Sequence, residues 1–387
     1  MARLGKLYRY GAAAGGMAVL ALATGAGQPQ RNPDYGFVLS DMGLQFYLGD
    51  EKLDCPNGRS PSTREAFLAS QTPAEQARLQ KPENAEELER RYKTDYVYGP
   101  GGKDICSNPE AFDTPDRILQ KPTQSKIGPG MDLDGASGPD QPAPGTCGHD
   151  SFVSPTGEKG VDNQYYRAIA CNTLWRGVNG SPGDFRGEVH WHDQKAVAIV
   201  VRGVDSWQND PEVEVVIAGS TDLPPVDATQ KIVDGGSIAM SVDARYRTVT
   251  RGRIEAGTLI TEPANVTLPM NWVGASGGEF MLRHARIRAK LTPEGGLKGE
   301  AGGYRPIDNA MGTKRVGGPG VASTAGLECA SMRKTLRLLA DGDRDPATGQ
   351  CTSVSTALSF AALPAFVFDQ GALIGAPGGK ALQQAQR

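Results

Sequence analysis

Aspartates recur at alternate positions in two stretches of the chain, Asp132-Leu133-Asp134-Gly135 and Asp341-Gly342-Asp343-Arg344-Asp345. Asp140, Asp150 and Asp162-Asn163 follow the first stretch. Carboxylates two residues apart in a tight turn bring several hard oxygens to one point. Ca²⁺ takes about 6–8 such oxygens, whereas Mg²⁺ demands a stricter octahedron. Both loops are therefore read as calcium sites, with Asp132, Asp134, Asp150, Asp162 and Asn163 as ligands in one and Asp341, Asp343 and Asp345 in the other. The second loop opens as an EF-hand loop does. Pro346 then stands at the sixth position, where Gly belongs, and Thr352 at the twelfth, where a bidentate Glu belongs. A partial aspartate-rich loop is expected there. The competing reading makes these aspartates turn formers.

Other groupings carry weaker chemistry. His190 and His192 flank Trp191, so on a strand both imidazoles face one side and, with Asp193 or a distant His149 or His284, approach a zinc tetrahedron. Glu188, Asp193, Asp205, Asp210, Glu212 and Glu214 lie on or between expected strands, where a facing acid pair would suit glycoside hydrolysis. Trp175, Trp191, Trp207 and Trp272, with Tyr165 and Tyr166, read either as a sugar-stacking surface or as core. Gly274-Ala275-Ser276-Gly277-Gly278 misses the spacing of a nucleophile elbow. No glycine-rich loop ends in the Gly-Lys-Ser/Thr that a phosphate site needs.

The compartment follows from the start of the chain. Arg3, Lys6 and Arg9 precede an apolar, small-residue run that gives way to Gln28-Pro29, the order of a secretory signal over residues 1–27. That run is shorter than the ~20 apolar residues a bilayer needs, and no transmembrane segment is expected in the mature chain. A secreted or periplasmic location is oxidising, so the 6 cysteines are read as disulfides between chain neighbours: Cys55 with Cys106, Cys147 with Cys171, Cys329 with Cys351. Each acidic loop then lies beside a disulfide. The 41 Lys and Arg against 44 Asp and Glu form no basic cluster, which argues against a nucleic-acid partner.

The elements that must position these groups are mostly strands. Gly and Pro number 50 and 27 in 387 residues, about a fifth of the chain, against roughly 12% in average usage. Residues 28–130 read as a helical and irregular lobe, in which Thr72-Pro73-Ala74-Glu75 is a capping box and Asn84 with Glu87 repeats the signal. Residues 131–368 carry short alternating strands, Gly295-Gly296 marking a turn. A helix is expected over 323–340, with Leu327, Met332, Leu336 and Leu339 on one face, and a loose tail over 369–387. The fold expected is mainly β: an antiparallel, jelly-roll-like β-sandwich with a small N-terminal helical lobe and a helix inserted near the C-terminus. The function expected is a calcium-stabilised binding or structural protein of the envelope or exterior, with a glycan or envelope component as partner. A secreted polysaccharide hydrolase is the alternative. A carrier of hydrophobic ligands is a third reading, and would need an apolar cavity.

Overall fold

The computed structural model describes residues 34–98, 120–136, 138–176, 186–188, 195–269, 279–311 and 329–369. The signal over 1–27, Cys106, His190 to Asp193, Trp272, residues 274–278 and 323–328, and the tail beyond Asp369 lie outside the described residues. β1 (Tyr35–Leu44) is followed by α1 (Glu51–Asp54), α2 (Thr63–Ala69), α3 (Pro73–Leu79) and α4 (Ala85–Tyr92). After the loops of residues 120–163 come α5 (Gln164–Ile169), α6 (Thr173–Arg176), β2 (Arg186–Glu188), β3 (Val197–Arg202) and β4 (Asp210–Gly219). β5 (Gly236–Met240), β6 (Arg247–Glu255), β7 (Thr258–Thr261), β8 (Ala264–Leu268), β9 (Phe280–Leu291) and β10 (Leu297–Pro306) continue the sheet. α7 (Ile307–Ala310), α8 (Cys329–Leu338), β11 (Gly342–Arg344) and β12 (Cys351–Asp369) complete the order.

The strands do not make the expected sandwich. β12 pairs antiparallel with β10 along one edge and with β1 along the other: Leu358 opposes both Ala301 and Leu44. The path β12-β10-β9-β7-β6-β4-β3-β1 therefore returns to its start, a closed antiparallel barrel of eight staves. β7 and β8 share one stave, pairing with opposite ends of β9. β2, β5 and β11 lie outside the ring on β1 and β12. Alternation and turn residues look the same along a strand whether its sheet faces a second sheet or curls to meet its own edge. Closure removes the exposed edges that a sandwich must protect. β1 itself falls in the segment read as the helical lobe.

Successive residues face opposite sides of the wall. Phe37, Ile199, Ile217, Leu282, Ile287 and Leu358 point inward to the main core, while Arg253, Glu255 and Lys290 are exposed outside. This inverts the polarity of a membrane barrel, whose outer band is apolar, and no helix among the described residues is long and apolar enough to cross a membrane. At eight strands a barrel interior is just filled by side chains or holds one small ligand. Here an apolar cavity of about 50 Å³ remains between residues such as Met42, Val266 and Phe360. That space admits a few atoms and no lipid chain. One end is stopped by α5, α7 and α8 through Tyr165, Met311, Met332 and Leu336, with Arg305 fully buried over the rings of Tyr165 and Phe280. At the other end Trp207 packs edge-on against Tyr35 and Phe37. Beyond Pro364, β12 leaves the ring and runs parallel with β5, where Val367 and Met240 cover the outward Ala198, Val200, Val216 and Ala218.

The helices α2 to α4 enclose a small core of Phe67, Leu79 and Leu88. The reciprocal capping box belongs to Ser62 and Glu65. Thr72 caps α3 by accepting from the Glu75 amide, but the Glu75 carboxylate is engaged by Arg78 and Arg91 instead. Asn84 makes no cap and donates to the Arg78 carbonyl.

The disulfides also correct the expectation. Cys55 pairs with Cys171 and Cys147 with Cys351, across 116 and 204 residues; Cys329 is bonded to a partner outside the described residues. Sequence neighbours have no privilege in such pairing. It follows the Cα approach of 5.7 and 6.1 Å that the folded topology creates. Leu358→Ala, at a position 1% exposed, is expected to lower the unfolding free energy by about 2–5 kcal/mol. Val249→Ala, on the outer face at 52% exposure, should stay within about 0.5 kcal/mol; urea unfolding of both variants checks the contrast.

Candidate metal centre

The loops of residues 120–163 dock on the outside of the wall formed by β10 and β12. Met131 and Leu133 pack on Tyr304 of β10, and the Gln164 amide at the head of α5 donates to Ser355 Oγ of β12 at 2.8 Å. Within the loops, Asp162 N donates to Met131 O at 3.0 Å and Phe152 exchanges two backbone hydrogen bonds with Val161. These bridges bring the Asp-x-Asp turn against Asp162. One carboxylate oxygen from each of Asp132, Asp134 and Asp162 lies within 4.8 Å of the others. Ca²⁺ holds its oxygens at about 2.3–2.6 Å, so small side-chain adjustments would bring these three onto a common ion.

Each acid is fixed by its backbone surroundings. Asp132 accepts from Gly135 N at 2.6 Å, Asp134 from Ala136 N at 2.7 Å and from Thr146 Oγ1 at 3.2 Å, and Asp162 Oδ2 from Leu133 N at 2.7 Å. Asp162 is 1% exposed, and its Oδ1 is 2.6 Å from His149 Nε2. His149 Nδ1 lies 3.1 Å from the Cys147 carbonyl. With acceptors at both ring nitrogens, the imidazole is held as a cation. The same nitrogen also faces Asp341, whose Oδ2 is 3.8 Å from Nε2. Asp341 is fully buried; its Oδ1 accepts from Ser355 N at 2.7 Å, while its Oδ2 has no hydrogen-bond partner. The hydroxyl of Tyr304 is likewise buried without a partner. Gly342 is required here, because a Cβ would stand 2.1 Å from the Tyr304 ring.

The electrostatics follow from burial and crowding of like charge. Burial raises the Asp132 carboxyl, against the Gly135 amide and with the help of Asp162 and Asp134. Burial pushes Asp341 up to about 7, opposed by His149 and Ser355. For Tyr304, burial and then the charges of Asp341, Asp162 and Asp134 drive the phenol well upward. Burial pulls His149 down, but its bond to Asp162 and the charge of Asp341 prevail and set it near 9.

The residues picked out from sequence therefore divide. Asp132, Asp134 and Asp162 come together, and Asp341 reaches them from the second loop through His149. Asp150 is exposed, with its carboxylate 3.9 Å from Lys126. Asn163 caps α5, its Oδ1 accepting from Tyr166 N and its amide donating to Pro129 O. Asp343 turns to Ser353 and Arg283. Asp345 accepts from the amides of Ala347 and Thr348 in the β11–β12 turn. Sequence reasoning assigned His149 only to a distant zinc set; its place beside Cys147 in the acidic loop was the available signal. Tyr304 and Ser355 carried none, since their approach depends on strand register. Of the candidate acid pair, Asp210 is buried and accepts from Asp205 N and Glu212 N, while Glu212 and Glu214 are exposed beside Arg251 and Arg202. Tyr165, Tyr166 and Trp207 serve the core rather than a sugar platform.

Without a divalent ion the network predicts a pH dependence. A histidine raised from 6.5 to about 9 on folding contributes stability that is complete below 6.5 and lost as the pH rises through 9. Unfolding free energy measured by denaturant titration in chelator is expected to fall across that window, and His149→Gln to flatten the fall. No family model matches the chain, and neither a curated protein nor a solved structure does.

Proposed function

We propose that this is an exported, disulfide-bonded barrel protein with a binding or structural role in the cell envelope or extracellular space, its loop layer fastened to the wall by calcium. The carrying observation is the close approach of Asp132, Asp134 and Asp162, joined through His149 to a buried Asp341 oxygen that accepts no hydrogen bond. Oxygen donors alone favour a hard cation, and loops this polar gain little from burial. The Cys147–Cys351 bond joins the same two loops, which suits a protein matured outside a reducing compartment. The leader-like order of residues 1–27 supports export. A glycan or envelope component is the proposed partner class. The hydrolase reading is weaker, because Asp210, Glu212 and Glu214 are each committed to a turn or an arginine.

An ion that binds only the folded chain stabilises it by mass action, about 2.7 kcal/mol at a hundredfold excess over Kd. Thermal unfolding of the oxidised protein is expected to shift upward with calcium and back with chelator, and Asp134→Asn to abolish the shift. Identical melting in calcium and chelator would remove the proposal.

A further inference from the structure

We infer that the two aspartate-rich loops make one cation site between them, not two: Asp132, Asp134 and Asp162 hold the ion, and Asp341 steadies that set from the barrel wall through His149. The inference rests on the calcium reading above and names its geometry. Among the described residues Asp132, Asp134 and Asp162 come within reach of a common ion; Asp343 and Asp345 join no such group and are held by Ser353, Arg283 and turn amides. Asp341, the remaining acid of that loop, faces the other way. It is fully buried, and its unpartnered Oδ2 lies 3.8 Å from the ring nitrogen that stands 2.6 Å from Asp162 Oδ1.

Asp341 is thus a positioning residue. His149, bonded to Asp162 and to the Cys147 carbonyl, transmits the placement of the buried acid to the ligand. Partners one shell out from a metal typically control its affinity by about 10–100-fold. The unpartnered hydroxyl of Tyr304 lies under the charges of Asp341, Asp162 and Asp134, where a water on the ion would satisfy it. The ligand class is a divalent cation with oxygen chemistry, calcium above magnesium, since turn carboxylates and water give an irregular shell rather than a strict octahedron.

Calorimetric titration of the oxidised full chain with calcium tests this. The expected result is one ion per chain, binding lost in Asp134→Asn, unchanged in Asp345→Asn and Asp343→Asn, weakened about 10–100-fold in His149→Gln and by a smaller factor in Asp341→Asn, with the stoichiometry still one. Two ions per chain, one of them lost in Asp343→Asn or Asp345→Asn, would overturn the shared site and leave the calcium reading standing. No calcium binding would overturn both. Unaltered affinity in a folded Asp341→Asn protein would overturn the role of Asp341. Should that variant not fold, His149→Gln reads the same link, with weakened binding supporting it and unchanged binding overturning it.

Discussion

The structure depends on one strand finding two partners. β12 offers its amides and carbonyls to β10 on one side and β1 on the other, and backbone groups in a wall need such partners as much as side chains need a core. Closing the ring makes the interior a sealed apolar volume, lined by inward residues of every stave. It also makes the outside of β10 and β12 a rigid plate. The irregular loops of residues 120–163 have few apolar residues of their own, and this plate gives Met131, Leu133 and α5 a surface on which to settle.

The acidic cluster is a product of that docking. Carboxylates brought to a wall lose water, and the wall supplies Ser355 and Tyr304 where neutral solvent would otherwise be. The resulting balance is unfavourable for bare charge: burial works against Asp132, Asp341 and Tyr304 alike. His149 relieves part of it from within, and a divalent ion would relieve the rest. The loop layer is thus held by charge pairing and the Cys147–Cys351 bond in addition to the packing of Met131 and Leu133 on Tyr304.

Legibility of the sequence followed the range of the interaction. Periodicity of two gave the strands and the predominance of β, Gly295-Gly296 its turn, and Met332 with Leu336 the buried face of α8. Ring closure was not legible, because it is a relation between Leu44, Leu358 and Ala301 that no local pattern encodes. The cysteine pairs failed for the same reason. At the candidate site, the spacing of Asp132 and Asp134 marked a turn rich in oxygen. It could not tell that Asp341 is buried against the wall while Asp343 and Asp345 turn elsewhere, since residues two apart on a strand share a face and it is the positive φ of Asp343, 52°, that breaks the alternation.

Among the described strands, the ring joins the first to the last. β1 begins at Tyr35 and its second neighbour in the wall ends at Asp369, so during synthesis every intervening stave emerges before the circuit has its final member. Until then β1 and β10 each present an unpaired edge, and Cys147 waits for Cys351, 204 residues behind it. Contacts of such long range slow folding, and open strand edges invite pairing with other chains. The nascent barrel therefore stays open to such pairing until β12 has emerged.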